Sequence, residues 1–234
     1  MPKPTASFTP SCGNRTLSGS DRPAGSGGHE HEHASESGAA FTRRVDALVA
    51  GLTHAGVTSD REITATLEAF LAGAGPSNGA RIVARAWLDA DFKARVLADA
   101  NAAIAELGLD LSHWAPVTLR AVENTARVHN VIVCTLCSCY PIALLGPSPS
   151  WYKSEAYRSR VVREPRAVLR EFGCAVGDDV QLRVWDSTAE LRYFVLPRRP
   201  QGTADFDETQ LAACVSRDAL IGVAAASITP GSSG

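Results

Sequence analysis

The segment VCTLCSCYP, residues 133–141, gathers Cys134, Cys137 and Cys139, three of the six cysteines in the chain, into one short turn of sequence. Thiols this dense invite oxidation unless something holds them. Their spacing, two intervening residues and then one, argues against several ways of holding them. A structural zinc site draws four ligands, commonly from two separated pairs. Here there is no second CxxC, and Cys12, Cys174 and Cys214 stand apart. Haem attachment needs a histidine straight after the second cysteine, where Ser138 stands instead. A thioredoxin-type CxxC has no use for a third cysteine two positions on. An iron–sulfur cluster lacks its fourth thiolate.

One arrangement does use the spacing. If the backbone loops tightly, the three sulfurs converge on one ion, and the amide nitrogens of Ser138 and Cys139 turn inward with them. Sulfur and nitrogen donors from neighbouring residues then close short chelate rings, and one position on an octahedral ion stays open. Thiolates and ionised amides suit a trivalent transition ion better than a hard, oxygen-loving cation. An open position on such an ion means Lewis-acid catalysis.

Outward from the cysteines the pattern is that of strands. VHNVIV (128–133) runs straight into them, and VTLRAVEN (117–124) alternates Val117, Leu119 and Ala121 with polar partners. DVQLRVW (179–185) and ELRYFVL (190–196) flank Asp186-Ser187-Thr188-Ala189 and predict a β-hairpin. SEAYRSRVVREPRAVLREFG (154–173) reads as helix, which Pro165 restarts or kinks. A short helix around Glu208–Val215 and a last apolar strand near Ala219–Ala225 complete this half.

Towards the N-terminus the period becomes helical. Phe41, Val45, Leu48, Val49 and Leu52 recur up to Gly56, and Ser59 with Glu62 forms a capping pair ahead of Ile63, Leu67, Phe70 and Leu71. GAGPSNG (73–79) breaks that helix. Another carries Ile82, Val83, Ala86 and Trp87. A fourth, capped by Asp91, bears Val96, Ala100, Ile104 and Leu107 and stops at Gly108. Residues 1–40, rich in Gly, Ser and Pro, read as a disordered tail. The tail holds HEHEH, with His29, His31 and His33 on one side of an extended chain; a solvated tail outweighs a metal site there because nothing nearby fixes the geometry. The expected division is a tail over 1–40, a helical arm over 41–108, an α+β domain over 109–226 and a C-terminal tail over 227–234.

An apolar fraction of 45% supports a buried core, and a net charge of −2 leaves no electrostatic footprint for nucleic acid or an anionic membrane. No apolar run is long enough to cross a bilayer, and the first residues lack the apolar core of a secretory signal. A reducing cytosol is therefore the expected compartment, where clustered cysteines read as metal-binding or catalytic. Arg158, Arg160, Arg163 and Arg166 suit either a partner subunit or an ion-paired, solvated helix face. Trp114 is a candidate pocket wall, though core packing is the commoner use of a tryptophan. His113 and His129 read as structural.

VCTLCSCYP resembles the metal-binding claw of the nitrile hydratase α subunit, and the related γ subunit of thiocyanate hydrolase carries a similar one. VENTARVHNVIVCTLCSCYP, WYKSEAYRSRVVREPRAVLREFG, VWDSTAELRYFVLPRRPQGT and VSRDALIGVA also resemble family segments, so the likeness spans roughly residues 41–226. It implies a four-layer α-β-β-α domain with a helical N-terminal arm. It implies a low-spin Co(III), since Thr135 and Tyr140 match the cobalt-type pattern rather than the Fe(III) one. Cys134 is then the axial thiolate, Cys137 a sulfinate and Cys139 a sulfenate, while Ser138 supplies an amide nitrogen and sets its hydroxyl beside the substrate. The implied reaction hydrates a nitrile to the amide. The implied partners are a β-type subunit, whose arginines hold the oxidised cysteines, and an activator protein that delivers cobalt.

Two departures stand out. Ile142 occupies a position where the family often has Trp, which implies a roomier substrate pocket. The upstream Gln-Gly of many members is missing, the equivalent stretch reading HWAPVTLR. Both leave room for thiocyanate hydrolase as the alternative, with a metal-storage or redox module without turnover as a third reading.

Overall fold

The computed structural model describes residues 30–109 and 116–228. His29, His113 and Trp114, and the C-terminal tail beyond residue 228, lie outside the described residues. No helix among those described is long and apolar enough to cross a membrane.

Helix α1 (Glu30–His54) and helix α2 (Asp60–Ala72) as far as Ala69 belong to one compact unit. Helix α1 begins at Glu30, inside the stretch read as tail. EHEHASESGAA is rich in Glu and Ala, good helix formers that extend a helix already nucleated by the apolar period from Phe41. The backbone from Glu30 is helical, not extended. Ser59 Oγ accepts the Glu62 amide at 3.3 Å and donates to its carboxylate at 2.9 Å, the N-terminal pair expected from sequence. Phe41, Leu48, Val57 and Leu67 are exposed along this unit.

The second unit runs from Phe70 and includes helices α3 (Pro76–Leu88), α4 (Ala90–Ala98) and α5 (Ala100–Ala105). These three pack on one another, and α4 and α5 also pack on β1. The break before α3 is shorter than residues 73–79, because Pro76 opens the helix at its first position and Gly75 precedes it. The expected fourth helix is divided in two. Asp89, not Asp91, caps α4 by accepting the Phe92 amide, and Asp99 leaves helical φ/ψ to cap α5 by accepting the Ala102 amide. Aspartate competes for nearby backbone donors, which is why a continuous apolar period does not yield a continuous helix here.

Strands β1 (Thr118–Glu123), β2 (Val128–Val133), β3 (Gln181–Asp186) and β4 (Leu191–Leu196) form two parallel pairs. β1 pairs with β4, Thr118 opposite Leu191, and β2 pairs with β3, Val128 opposite Gln181. The expected β3–β4 hairpin is therefore wrong. The Ser187 amide continues the β2 ladder by donating to Val133 O at 2.7 Å. The chain then turns at Thr188, whose hydroxyl accepts the Glu190 and Leu191 amides, and enters the other sheet. β4 is buried over four consecutive residues, Tyr193–Leu196, the signature of a strand covered on both faces rather than of a half-solvated hairpin.

The sheets face each other, with α4, α5 and α11 (Arg217–Ile221) against β1–β4 and α9 (Pro165–Glu171) against β3, which gives the expected α-β-β-α order. α8 (Glu155–Arg163) ends at Glu164 and Pro165 starts α9, as the proline predicts. α10 (Glu208–Ala213) carries a complete capping box from Asp207 and Gln210. α11 takes the place of the expected last strand. Its short apolar run fits either period, and Ser216 as N-cap with Gly222 in the left-handed region decides for helix. α6 (Ile142–Leu145) and α7 (Ser150–Lys153) are single turns, too short to show a period.

Polar groups tie the layers together. Asn124 Oδ1 accepts from the Asn130 amide at 2.7 Å, the Asn130 side chain donates to Glu123 O, and Trp185 Nε1 donates to Asn130 Oδ1 at 2.8 Å. Gly222 approaches so closely that a Cβ there would sit 2.0 Å from Asn130 O. Half-buried His129 has Nε2 at 2.8 Å from Gly222 O and Nδ1 at 3.4 Å from Asn124 Nδ2, which fits the neutral ring with its proton on Nε2.

Burial holds the His129 pKa below its usual 6.5 against the opposing bond to Gly222. The unfolded chain is then first to take the proton as pH falls. Stability is complete above about 6.5 and declines below it. His129→Gln should flatten that decline, measured as urea midpoints at about pH 7.5 and about pH 5.5. An equally steep acid loss in the variant would assign it to other groups.

Candidate metal centre

β2 is buried from Asn130 to Val133, and Cys134 continues it inward with 1% of its surface exposed. The chain then leaves the sheet. Asp186, opposite Val133 at the end of β3, turns it: Oδ1 accepts the Thr135 amide at 2.9 Å and Oδ2 accepts the Thr135 hydroxyl at 2.6 Å. A carboxylate with both oxygens so engaged fixes the first residue of the loop in place.

The loop folds back over Cys134. The Cys137 amide donates to Cys134 Sγ at 3.3 Å. Cys134 and Cys137 sulfurs lie 3.4 Å apart and Cys137 and Cys139 sulfurs 3.2 Å apart, all three within 4.8 Å of one another. Among the described residues none of these cysteines is in a disulfide. The amides of Ser138 and Cys139 also face the Cys137 sulfur. The structure thus brings together the three sulfurs whose spacing suggested a shared ion.

With metal–sulfur bonds of about 2.3 Å, two thiolates at a right angle stand about 3.3 Å apart. The observed 3.2 and 3.4 Å suit thiolates on adjacent corners of an octahedron or square plane. Soft sulfur and inward-facing nitrogen in that geometry fit a transition ion.

A rigid rear wall supports the loop. Tyr152 donates to Cys139 O at 3.0 Å and Tyr157 donates to Ile132 O at 2.8 Å. Burial raises both phenol pKa values, so both hydroxyls stay protonated and remain donors. Tyr140, Trp151 and Phe172 complete an edge-to-face aromatic cluster with them. Arg158 Nη1 lies 3.4 Å from Thr135 O and 3.3 Å from Cys137 O. The front is open: Cys137 and Ser138 are exposed, and Leu136 keeps 90% of its surface in solvent. Half-buried Ile142 starts α6 beside the loop, its amide donating to Tyr140 O at 2.9 Å.

Sequence reasoning reached the three cysteines that the structure brings together but missed their supports. Asp186 lies where the sequence predicts a turn, and nothing beside it marks it as the acceptor for a neighbouring loop. Tyr152 and Tyr157 gave no signal, since core packing accounts for both. The arginine row divides. Arg160 is spent on Glu164 and Glu171, and Arg166 holds the carbonyls of residues 176–180. Only Arg158 reaches the loop.

The family profile described as nitrile hydratase, alpha chain, matches residues 39–224. The chain is 51% identical over 180 residues to the low-molecular-weight cobalt-containing nitrile hydratase subunit alpha of Rhodococcus rhodochrous, covering 77% of this chain and 86% of that one. It is 45% identical over 159 residues to the thiocyanate hydrolase subunit gamma of Thiobacillus thioparus, covering 64% and 65%. The structure of a double mutant of the Fe-type nitrile hydratase from Comamonas testosteroni Ni1 superposes with a TM-score of 0.74 at 40% identity, covering 83% of this chain and 98% of that one.

Within the loop the thiols differ. Cys137 is drawn down to about 7, first by the bond from the Cys139 thiol, then by Cys134 and the Ser138 and Cys139 amides. Cys139 is pushed up to about 12 by burial and by its cysteine neighbours, with Arg192 pulling the other way. In metal-free protein, alkylation at about pH 7.5 should therefore label Cys137 first, at a rate that rises through about pH 7 and then levels. Peptide mass spectrometry of a time course checks this; Cys134 or Cys139 labelling ahead of Cys137 would contradict it.

Proposed function

We propose that this chain, which belongs to the nitrile hydratase α-chain family, is the metal-bearing catalytic subunit of a nitrile hydratase that adds water to a nitrile to give the amide. The observation that carries the reading is the convergence of the Cys134, Cys137 and Cys139 sulfurs, within 4.8 Å of one another, at the end of a buried strand. Cys134, Cys137 and Cys139 with the Ser138 and Cys139 nitrogens would hold a low-spin Co(III), which when bound supplies Lewis acidity to a nitrile or a water.

The remaining chemistry belongs to the chain. Cys137, exposed and the first to ionise, is suited to oxidation by dioxygen or peroxide as far as the sulfinate; Cys139, half-buried, is read as the sulfenate. The Cys139 oxygen would then serve as base or nucleophile towards the nitrile carbon, with the Ser138 hydroxyl orienting the substrate. Asp186, Tyr152 and the aromatic wall keep these groups in register. A β-type subunit covers the open front and contributes arginines to the oxidised cysteines, and an activator protein loads the cobalt.

Purified active complex should contain about one cobalt per chain that resists a chelator, because low-spin Co(III) exchanges slowly. Peptide masses should show two added oxygens on Cys137, one on Cys139 and none on Cys134. Ser in place of any of these cysteines should abolish both cobalt retention and turnover. Full activity with all cysteines reduced would defeat the mechanism, and readily removed zinc would favour a storage or redox module.

Ile142 supports a second reading, because it departs from the tryptophan usual in the nitrile hydratases. As a wall of the substrate pocket it would leave room for a bulky group. Ile142→Trp should then move the ratio of kcat/KM towards small nitriles by about tenfold, the equivalent of one to two kcal/mol of packing. An unchanged ratio between a propionitrile-sized and a heteroaromatic nitrile would remove Ile142 from specificity. Conversion of thiocyanate to carbonyl sulfide and ammonia, with no nitrile accepted, would assign the chain to thiocyanate hydrolase instead.

A further inference from the structure

Each peptide unit joins one residue's carbonyl to the next residue's nitrogen. The carbonyl of Cys137 therefore belongs to the same resonance system as the Ser138 nitrogen. With the amides of Ser138 and Cys139 facing inward, the Cys137 carbonyl faces outward and needs a donor. Arg158 supplies it, with one Nη1 shared between Cys137 O at 3.3 Å and Thr135 O at 3.4 Å.

The placement of that cation is built in. Ser154 caps α8 by accepting the Tyr157 amide, and Tyr157 locks the helix to β2 through Ile132 O. Arg158, the next residue, then lies under the loop. Its charge has no other use: among the described residues no carboxylate pairs with it, in contrast to Arg160 two positions on. Its Nε is buried and also lacks a hydrogen-bond partner. An unpaired guanidinium partly withdrawn from water interacts strongly with whatever dipole it meets.

We infer that Arg158 is a positioning residue of the metal centre: by holding the Cys137 carbonyl it polarises the Cys137–Ser138 peptide and makes the Ser138 nitrogen a stronger metal donor. A nitrogen that binds a metal as an ionised amide shares its negative charge with the carbonyl oxygen, so a cation at that oxygen stabilises the ligand form. The second contact, to Thr135 O, holds the same residue that Asp186 clamps. This rests on the reading of the three cysteines as a metal claw.

The test uses the full chain co-expressed with its partner subunit and loaded with cobalt, as wild type, Arg158→Lys and Arg158→Met. Folding is checked by circular dichroism and Tm. Three readouts follow: cobalt per chain, the half-time of cobalt loss to a chelator, and the position of the visible ligand-field bands. Arg158→Met should fold normally, lose cobalt about tenfold faster and move the bands to longer wavelength, because a weaker donor splits the metal orbitals less. Arg158→Lys, which keeps the charge, should recover most of the band position. Met-variant bands and half-time equal to wild type would overturn the inference and leave the claw standing. If the Met variant does not fold, Arg158→Gln takes its place, since it retains a donor without charge; its bands should shift likewise, and unshifted bands would overturn the polarising role. Wild-type protein that holds no metal would overturn the claw reading, and this inference with it.

Discussion

Two hydrogen bonds from one carboxylate decide what the cysteine loop can be. By accepting both the amide and the hydroxyl of Thr135, Asp186 turns VCTLCSC out of β2, where an extended strand would set successive side chains on opposite faces. Extended, the sulfurs of Cys134 and Cys137 point to opposite sides of the sheet. Clamped, they lie 3.4 Å apart. The clamp in turn requires β3 to end beside β2, which the parallel pairing of Val133 with Asp186 provides. The fold-level feature that sequence reading got wrong is thus the one on which the site depends. A β3–β4 hairpin would have placed Asp186 in a solvent-facing turn.

Parallel pairing has a price in polar interior groups. Strands that cross between layers bring backbone ends and loop carbonyls into the core, and these need partners. Asn124 and Asn130, both buried, supply several of them, and Trp185 contributes its indole N–H to the same network. The close approach at Gly222 belongs to this arrangement. Its φ of 93° and the 2.0 Å that a Cβ would leave to Asn130 O admit only glycine, and its carbonyl is the partner of His129. The layer behind the loop is therefore held by directional bonds as well as by apolar contact, which makes it a stiff support.

The legible parts of the sequence were those in which the signal is local. The 3-then-2 cysteine spacing is a chelation pattern whatever surrounds it, and the Ser59–Glu62 pair and Pro165 act within a few residues. Helix α11 was misread because ALIGV fits both periods and its cap lies just ahead of the apolar run. The division of α4 from α5 was missed because Asp99 reads as an ordinary polar residue until its φ/ψ is known. Asp186, Tyr152 and Arg158 were beyond reach for another reason. Each lies at least 13 positions along the sequence from its partner in the loop, and nothing in the local pattern distinguishes such a residue from a turn aspartate, a core tyrosine or a surface arginine.

The loop is asymmetric, and the asymmetry follows from this construction. Among the described residues, its restraints come from behind or beneath: β2, Asp186, the Tyr152 hydroxyl and Arg158. On the other side Leu136, Cys137 and Ser138 stand in solvent, and no described residue of the chain covers them. A rigid back fixes donor positions before any ion arrives, so binding does not have to order the loop, which lowers its entropic cost. The same openness leaves the most acidic thiol, Cys137, the most accessible. Geometry and donor strength are thus internal properties of this chain, whereas enclosure of the reacting groups and exclusion of water have to be supplied from outside the loop.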